Sequence, residues 1–389
     1  METDPLLFSF FLIFSSAAVL ATVALYTRQP LIVAYIAIGV ILGPSGTSLI
    51  DNPNLINSIA KIGIIFLLFL LGLDMQPAKL GNMLKNAMLV GIASSLIFFS
   101  LGFIVALVFE YTLTERIIIG ITMMFSSTII GIKLLPTTIL HHRHTGELVV
   151  SLLLIQDMIA IIVLLVISGG LLEFDGTAKI VGVLISLPLL ILFAGLFVKF
   201  VLLKLLSAFD AFHEYIFLVA IGWCLALAEL AQVAGLSHEV GAFIAGVSIA
   251  TSPISLYIAT SLKPLRDFFL VLFFFSLGAN FHLELLADVI LPAIVLAGVI
   301  IAAKPLVFRY LLHGVSETVP IGWEIGFRLG QISEFSLLIA FIATSELLIS
   351  DNASHLIQAT AILTFLVSSY IVVFKYPTPI AVTEALRRD

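Results

Sequence analysis

Apolar runs of helix length recur from one end of the chain to the other, separated by short polar joints. They do not alternate apolar with polar residues, as the strands of a membrane barrel do. At roughly 20 residues per crossing, the pattern predicts about thirteen membrane helices, at 6–25, 30–44, 55–73, 84–109, 115–139, 146–168, 180–204, 211–231, 237–251, 256–279, 286–312, 322–347 and 353–375. The expected fold class is an all-α membrane protein. Lipid offers the backbone no hydrogen bonds, so each crossing segment must satisfy its own.

The two halves of the pattern match. The second run, VAYIAIGVILGPSG (33–46), is short and carries glycine, and so is the ninth, EVGAFIAGVSIATSP (239–253). The third ends FLLFLLGLDM (66–75) and the tenth FLVLFFFSLGAN (269–280). The fifth is broken by FSSTIIG (125–131) and the twelfth by GQISEFS (330–336). Six runs, a linker run at 180–204 and six more are expected. One linker crossing turns the second set over, so the repeats are inverted. Inverted repeats with broken helices in corresponding places point to a secondary transporter.

Basic residues orient the chain. Arg28, Lys79, Lys85, Arg143, Lys199, Lys204, Lys263, Arg266, Arg309, Lys375, Arg387 and Arg388 fall in one set of joints, and Lys61, Arg116 and Lys179 in the other. The richer side faces the cytoplasm. The N terminus is then expected outside and the C terminus in the cytoplasm.

Composition removes other classes. Of 389 residues, 61% are hydrophobic and 11% charged, too apolar for a soluble domain. The opening METDP is acidic and runs straight into apolar sequence, so a first membrane helix is expected and not a removed signal peptide. The single Cys224 excludes an intrachain disulfide and reads as a core residue. A phosphate loop, a potassium-channel filter, a zinc motif and a nucleophile elbow are all missing, so an enzyme is not expected. Nothing suggests nucleic-acid binding.

The chemistry lies in polar residues inside the apolar runs. Asp157 sits midway along SLLLIQDMIAIIVLLV, beside Gln156. A central Asp costs about 2.5–3.5 kcal/mol, so it is functional or paired. A carboxylate drawn out of water needs a proton or a cation with it. Lys304, deep in the eleventh run, is its expected partner, as a structural pair or a proton carrier. In the breaks, carbonyls and half-helix ends can replace a cation's hydration shell. Ser126, Ser127 and Thr128 add hydroxyls in one, and Gln331, Ser333 and Glu334 populate the other. Hydroxyls that only bond the local backbone are the alternative. Glu334 reads as a supporting group or a partner of Arg328. His141 and His144, in HHRH (141–144), read as a solvated basic loop, and Glu229 and Glu239 as solvated or capping groups.

The segments IGVILGPSG (38–46), IIFLLFLLGLDM (64–75), FSSTIIGIKLL (125–135), LIQDMIAI (154–161), GLSHEVGAFIAGV (235–247), LKPLRDFFLVLFFFSLGAN (262–280) and GQISEFSLLI (330–339) together resemble the monovalent cation:proton antiporter-2 family, in particular its Kef-type potassium-efflux branch. The resemblance implies the sodium/proton-exchanger fold with two crossing broken helices, a homodimer, and alternating access. It places the family's essential aspartate on Asp157, the Gln of Kef-like members on Gln156, the broken helices around Ser127–Thr128 and Gln331–Glu334, and the core lysine on Lys304. Helices 84–168 and 286–375 would form the transport core. Helices 1–80 and 180–280, which include the linker, would form the scaffold and dimer interface, with 376–389 a cytoplasmic tail.

Three departures stand out. Residues 252–264 lack the family's acidic regulatory cluster, and GQISEF carries Ile332 and Ser333 where the family has a glycine pair. The sequence stops at ALRRD without the nucleotide-binding domain of Kef systems, which puts gating by such ligands in doubt. Regulation by a separate domain or subunit is the alternative. The function expected is exchange of a monovalent cation, K⁺ first and Na⁺ second, for H⁺ at Asp157, electroneutral because Gln156 does not titrate. No cofactor is expected. The alternatives are a sodium-coupled solute symporter, a cation channel, or a structural or sensory membrane protein.

Overall fold

The computed structural model describes residues 5–50, 53–74, 85–136, 144–168, 177–209, 212–250, 252 and 254–378. Lys79, His141, Arg143 and the tail beyond Thr378 lie outside the described residues. Every predicted run falls on helix. In order these are α1 (Pro5–Tyr26), α2 (Leu31–Leu42), α3 (Pro53–Asp74), α4 (Lys85–Val108), α5 (Leu113–Met123), α6 (Thr128–Lys133) and α7 (His144–Ser168). Next come α8 (Thr177–Phe197), a π turn, α9 (Leu203–Ala208), α10 (His213–Val233), α11 (His238–Ala250) and α12 (Ser255–Ala279). The last are α13 (Leu286–Gly314), α14 (Val319–Arg328), α15 (Glu334–Ser345) and α16 (Asp351–Lys375). Seven of the described helices have the length and composition to cross a membrane. Leu31–Leu42, Ala60–Leu73, His238–Ala250 and Glu334–Ser345 are shorter apolar helices.

Two predicted runs are interrupted where the sequence turns polar. In the first, α5 ends at Met123, the backbone unwinds through Ser127, and α6 starts at Thr128. In the second, α14 ends at Arg328 and α15 starts at Glu334. The restarts have local causes. The Ser127 hydroxyl accepts the Ile130 amide at 3.1 Å. The Ser333 hydroxyl accepts that of Phe335 at 3.1 Å. A serine that caps a new helix N-terminus competes with continuation of the old one.

The chain divides into two compact units. The first takes in Met1–Leu49, Met83–Ile162 and Gly278–Asp389. It therefore holds both broken helices, the Asp157 turn of α7, α13 and α16. Within it α13 packs against α4, α14 and α16, and α5 packs against α4 and α15. A Cβ on Gly326 would lie 2.4 Å from the Pro305 Cα, so α14 meets α13 backbone to backbone.

The second unit takes in Ile50–Asn82 and Val163–Leu277. Its centre is the pairing of α3 with α11, with α10 on α11. Buried Cys224 is a free thiol in this apolar core. The α3–α11 contact depends on glycine: a Cβ on Gly246 would lie 2.1 Å from the Phe69 carbonyl oxygen, and one on Gly72 2.5 Å from that of Phe243. Only backbone stands there to give way, so Gly246→Val must push the helices apart. Overpacking of this kind costs about 1–3 kcal/mol or more. The expected result is a lower melting temperature and poor recovery of monodisperse protein from membranes. A Gly246→Val protein as stable as the wild type would show that α3 and α11 do not pack this closely.

Candidate functional site

Asp157 lies on α7, 8% exposed, with Gln156 fully buried beside it. The Thr128 hydroxyl, at the start of α6, lies 3.0 and 3.2 Å from the two carboxylate oxygens and donates to them. The Gln156 side-chain oxygen accepts the Ser126 amide at 2.9 Å. Two adjacent residues of α7 thus hold the first break from one side, one through its backbone and one through a hydroxyl.

The expected Asp157–Lys304 pair is not formed. The Lys304 ammonium, fully buried, donates to the Phe125 carbonyl at 2.8 Å, the Gln331 carbonyl at 2.7 Å and the Ser126 hydroxyl at 2.9 Å. Its Nζ also lies 5.4 Å from the centre of the Phe98 ring. The reason is the breaks themselves. Unwinding leaves carbonyls of both broken helices without intrahelical donors, and a buried carbonyl without a partner is costly. One ammonium with three donors satisfies a carbonyl from each break. Lys304 therefore pins the crossing of the two broken helices, and Asp157 enters no ion pair among the described residues.

Several oxygens of the breaks already bond the protein itself. Phe125 and Gln331 carbonyls serve Lys304, and the Leu329 carbonyl accepts the Ser126 hydroxyl at 3.0 Å. The Ser127 carbonyl takes the Gly131 amide at 2.9 Å and the Gln331 side-chain nitrogen at 3.5 Å. The Ser126, Ser127 and Ser333 hydroxyls are likewise engaged with the protein itself. Among these bonds the Asp157 carboxylate accepts only the Thr128 hydroxyl.

Arg328 does not pair with Glu334. Its guanidinium meets the Glu324 carboxylate at 2.8 Å, one turn back on α14, and donates to the Leu134 and Pro377 carbonyls at 2.9 Å each. It joins the ends of α6 and α16 to α14. Glu334 opens α15, half-buried. His144, expected in a solvated loop, begins α7 and meets Glu317 at 2.8 Å. Glu229 pairs with His238 at 3.4 Å on an exposed surface.

Sequence reading missed four supporting residues. On α16 the Thr364 hydroxyl accepts the Ile332 amide at 3.2 Å, and the Ser368 hydroxyl donates to the Gln331 side-chain oxygen at 2.7 Å. The Ser336 hydroxyl bonds the Thr122 carbonyl at 2.5 Å, tying α15 to α5. Glu115 caps α5 through Thr112 and accepts the Ser350 amide at 3.1 Å at the start of α16. The i,i+4 spacing of Thr364 and Ser368 was available as a signal. Without the fold it reads the same as hydroxyls bonded within their own helix.

Comparison with known proteins agrees with this architecture. K(+) efflux antiporter 4 of Arabidopsis thaliana is 30% identical over 345 residues, covering 86% of this chain and 58% of the relative. K(+) efflux antiporter 5 of the same plant is 28% identical, covering 86% and 60%. The chain thus spans about three fifths of the length of these relatives. The iron transporter MagA of Paramagnetospirillum magneticum is 25% identical over 88% of this chain and 79% of its own. The solved sodium proton antiporter MjNhaP1 of Methanocaldococcus jannaschii shares the fold, with a TM-score of 0.69 at 18% identity over 94% of this chain and 97% of its own. The family model described as sodium/hydrogen exchanger, transmembrane, matches residues 12–374. A match over nearly the whole length, on a chain with two broken helices pinned at their crossing, means that the protein belongs to the transmembrane sodium/hydrogen exchanger family.

Proposed function

We propose that the chain is a secondary antiporter that exchanges a monovalent cation for H⁺. The observation that carries this reading is the buried Asp157 carboxylate, which enters no ion pair among the described residues because Lys304 is spent on the breaks. A carboxylate removed from water is stable only when neutralised. A proton or a cation does this equally in charge and one excludes the other, so loading is competitive. Each loaded form is neutral and lets the unit that carries Asp157 reorient, and the bare carboxylate opposes it. This is alternating access with one site. Helices 84–168 and 286–375 are the moving core and helices 1–80 and 180–280 the scaffold, and a homodimer is the expected assembly.

Potassium is the first substrate and sodium the second. The named activity of the plant relatives supports that order. Gln156 carries no charge in either state, which favours one-for-one electroneutral exchange. The orientation follows the basic residues: N terminus outside, C terminus in the cytoplasm, in the cytoplasmic membrane.

Reconstitution in liposomes with an internal pH dye tests the reading. Addition of K⁺, and more weakly Na⁺, is expected to move protons against the cation. If K⁺, Na⁺ and Li⁺ all leave the internal pH unchanged, the antiport reading fails. Charge balance is tested by Gln156→Glu, which keeps an oxygen within reach of the Ser126 amide and adds a second carboxylate. Transport by this variant is expected to respond to an imposed membrane potential where the wild type does not. A flat voltage response in both proteins would count against Gln156 as the residue that sets the charge carried.

A further inference from the structure

Where α13 closes and α14 opens, two cations bracket a pair of stacked rings. Trp323 and Phe327, one turn apart on α14, stack with centroids 5.7 Å apart. The Arg309 guanidinium carbon lies 5.0 Å from the Trp323 ring centre, and the Lys375 ammonium 4.8 Å from that of Phe327. Among the described residues neither cation meets an acid. The nearby acids are engaged elsewhere: Glu324 with Arg328 and Glu317 with His144. Exposed Tyr310 lies under the same Arg309 guanidinium at 5.4 Å, and exposed Tyr370 and Phe374 stack, centroids 6.1 Å apart, in the turn of α16 that ends at Lys375.

Unpaired cations on apolar stems beside exposed aromatics suit the headgroup layer of a bilayer. Charge complementarity selects the occupant, because a zwitterionic headgroup brings its own ammonium against Arg309 and Lys375. We propose that this face is a binding site for an acidic glycerophospholipid. Arg309 and Lys375 take the headgroup phosphate, and Trp323 and Phe327 seat the glycerol and the first acyl carbons. The site is separate from Asp157 but bears on the second break. Cβ atoms on Gly322 and Gly326 would lie 2.8 Å from the Arg309 Cα and 2.4 Å from the Pro305 Cα, so α14 and α13 move together under whatever the lipid does.

The test needs no transport assay, so its outcome is independent of the antiport reading. The full chain in neutral detergent is titrated with phosphatidylglycerol, phosphatidylcholine or glycerol 3-phosphate. The melting temperature and lipid retention in native mass spectrometry are read. Phosphatidylglycerol is expected to raise the melting temperature, because a ligand that binds only the folded state stabilises it. Phosphatidylcholine and glycerol 3-phosphate should not. Arg309→Gln and Lys375→Gln should each weaken phosphatidylglycerol about fivefold, the factor for one near-surface cation. Lys199→Gln, which removes an exposed lysine over Phe200 in the other unit, should leave it unchanged. Lys375 is exposed, so its variant decides the matter even if the Arg309 variant misfolds. Equal stabilisation by phosphatidylcholine, a full shift from glycerol 3-phosphate, or a Lys375→Gln protein that titrates as wild type overturns the proposal.

Discussion

Asp157→Asn is expected to reduce cation-driven proton movement to that of protein-free liposomes. The substitution keeps the volume of the side chain and an oxygen that accepts the Thr128 hydroxyl, so the first break stays in place. It removes the one property the mechanism uses, a charge that a proton or a cation can cancel. An amide is neutral in every state, so it does not distinguish loaded from empty. The fold should not suffer: replacing a buried carboxylate by a neutral group of the same shape removes a desolvation cost. A melting temperature at or above the wild-type value, together with lost exchange, is the expected pair of results. Asp157→Asn protein that still couples K⁺ to H⁺ would remove this carboxylate from the mechanism and with it the single-site reading.

Lys304→Ala is expected to have the second largest effect, and of a different kind. The ammonium satisfies the Phe125 and Gln331 carbonyls and the Ser126 hydroxyl, fully out of solvent. Its removal leaves acceptors from both broken helices without a donor, at roughly 1–3 kcal/mol each. It also leaves a cavity the length of a lysine stem under Phe98. The melting temperature should fall by many degrees, and maximal exchange should fall with it as the crossing loosens. The pH dependence of whatever exchange survives is expected to keep its midpoint, the outcome for a residue that acts through its hydrogen bonds to the breaks. A displaced midpoint with unchanged stability would make Lys304 a proton carrier. That alternative was open from sequence, where a buried amine is equally consistent with both roles.

The comparison of Asp157 with Lys304 shows where sequence reading reaches its limit. Both were singled out by one argument, the cost of a charge in an apolar run, and for both the argument holds. It says that a buried charge needs a partner and does not say which. Opposite charges make Lys304 the simplest partner for Asp157 from sequence alone. The structure uses another, in which backbone carbonyls freed by the breaks take the ammonium. Those carbonyls appear in no sequence pattern, because every residue carries one. Arg328 repeats the lesson, with Glu324 one turn away on its own helix and two carbonyls from other segments in place of Glu334.

The sequence by itself determined the solvent, the class and the order of elements. Apolar run length, the two polar breaks and the half-to-half match depend only on local composition, and local composition decides whether a segment enters lipid and where a helix stops. It also determined Asp157 and its neighbour Gln156, because an acid among apolar residues is conspicuous without any fold. Tertiary structure alone decided what each polar group touches. It gave Gln156 and the serines of the breaks their hydrogen-bond partners, and brought in Thr364, Ser368, Ser336 and Glu115. The physical reason is that hydrogen bonds are short and directional. Their partners depend on which segments lie within about 3 Å, and residues 125, 304 and 331 meet only once the helices have packed.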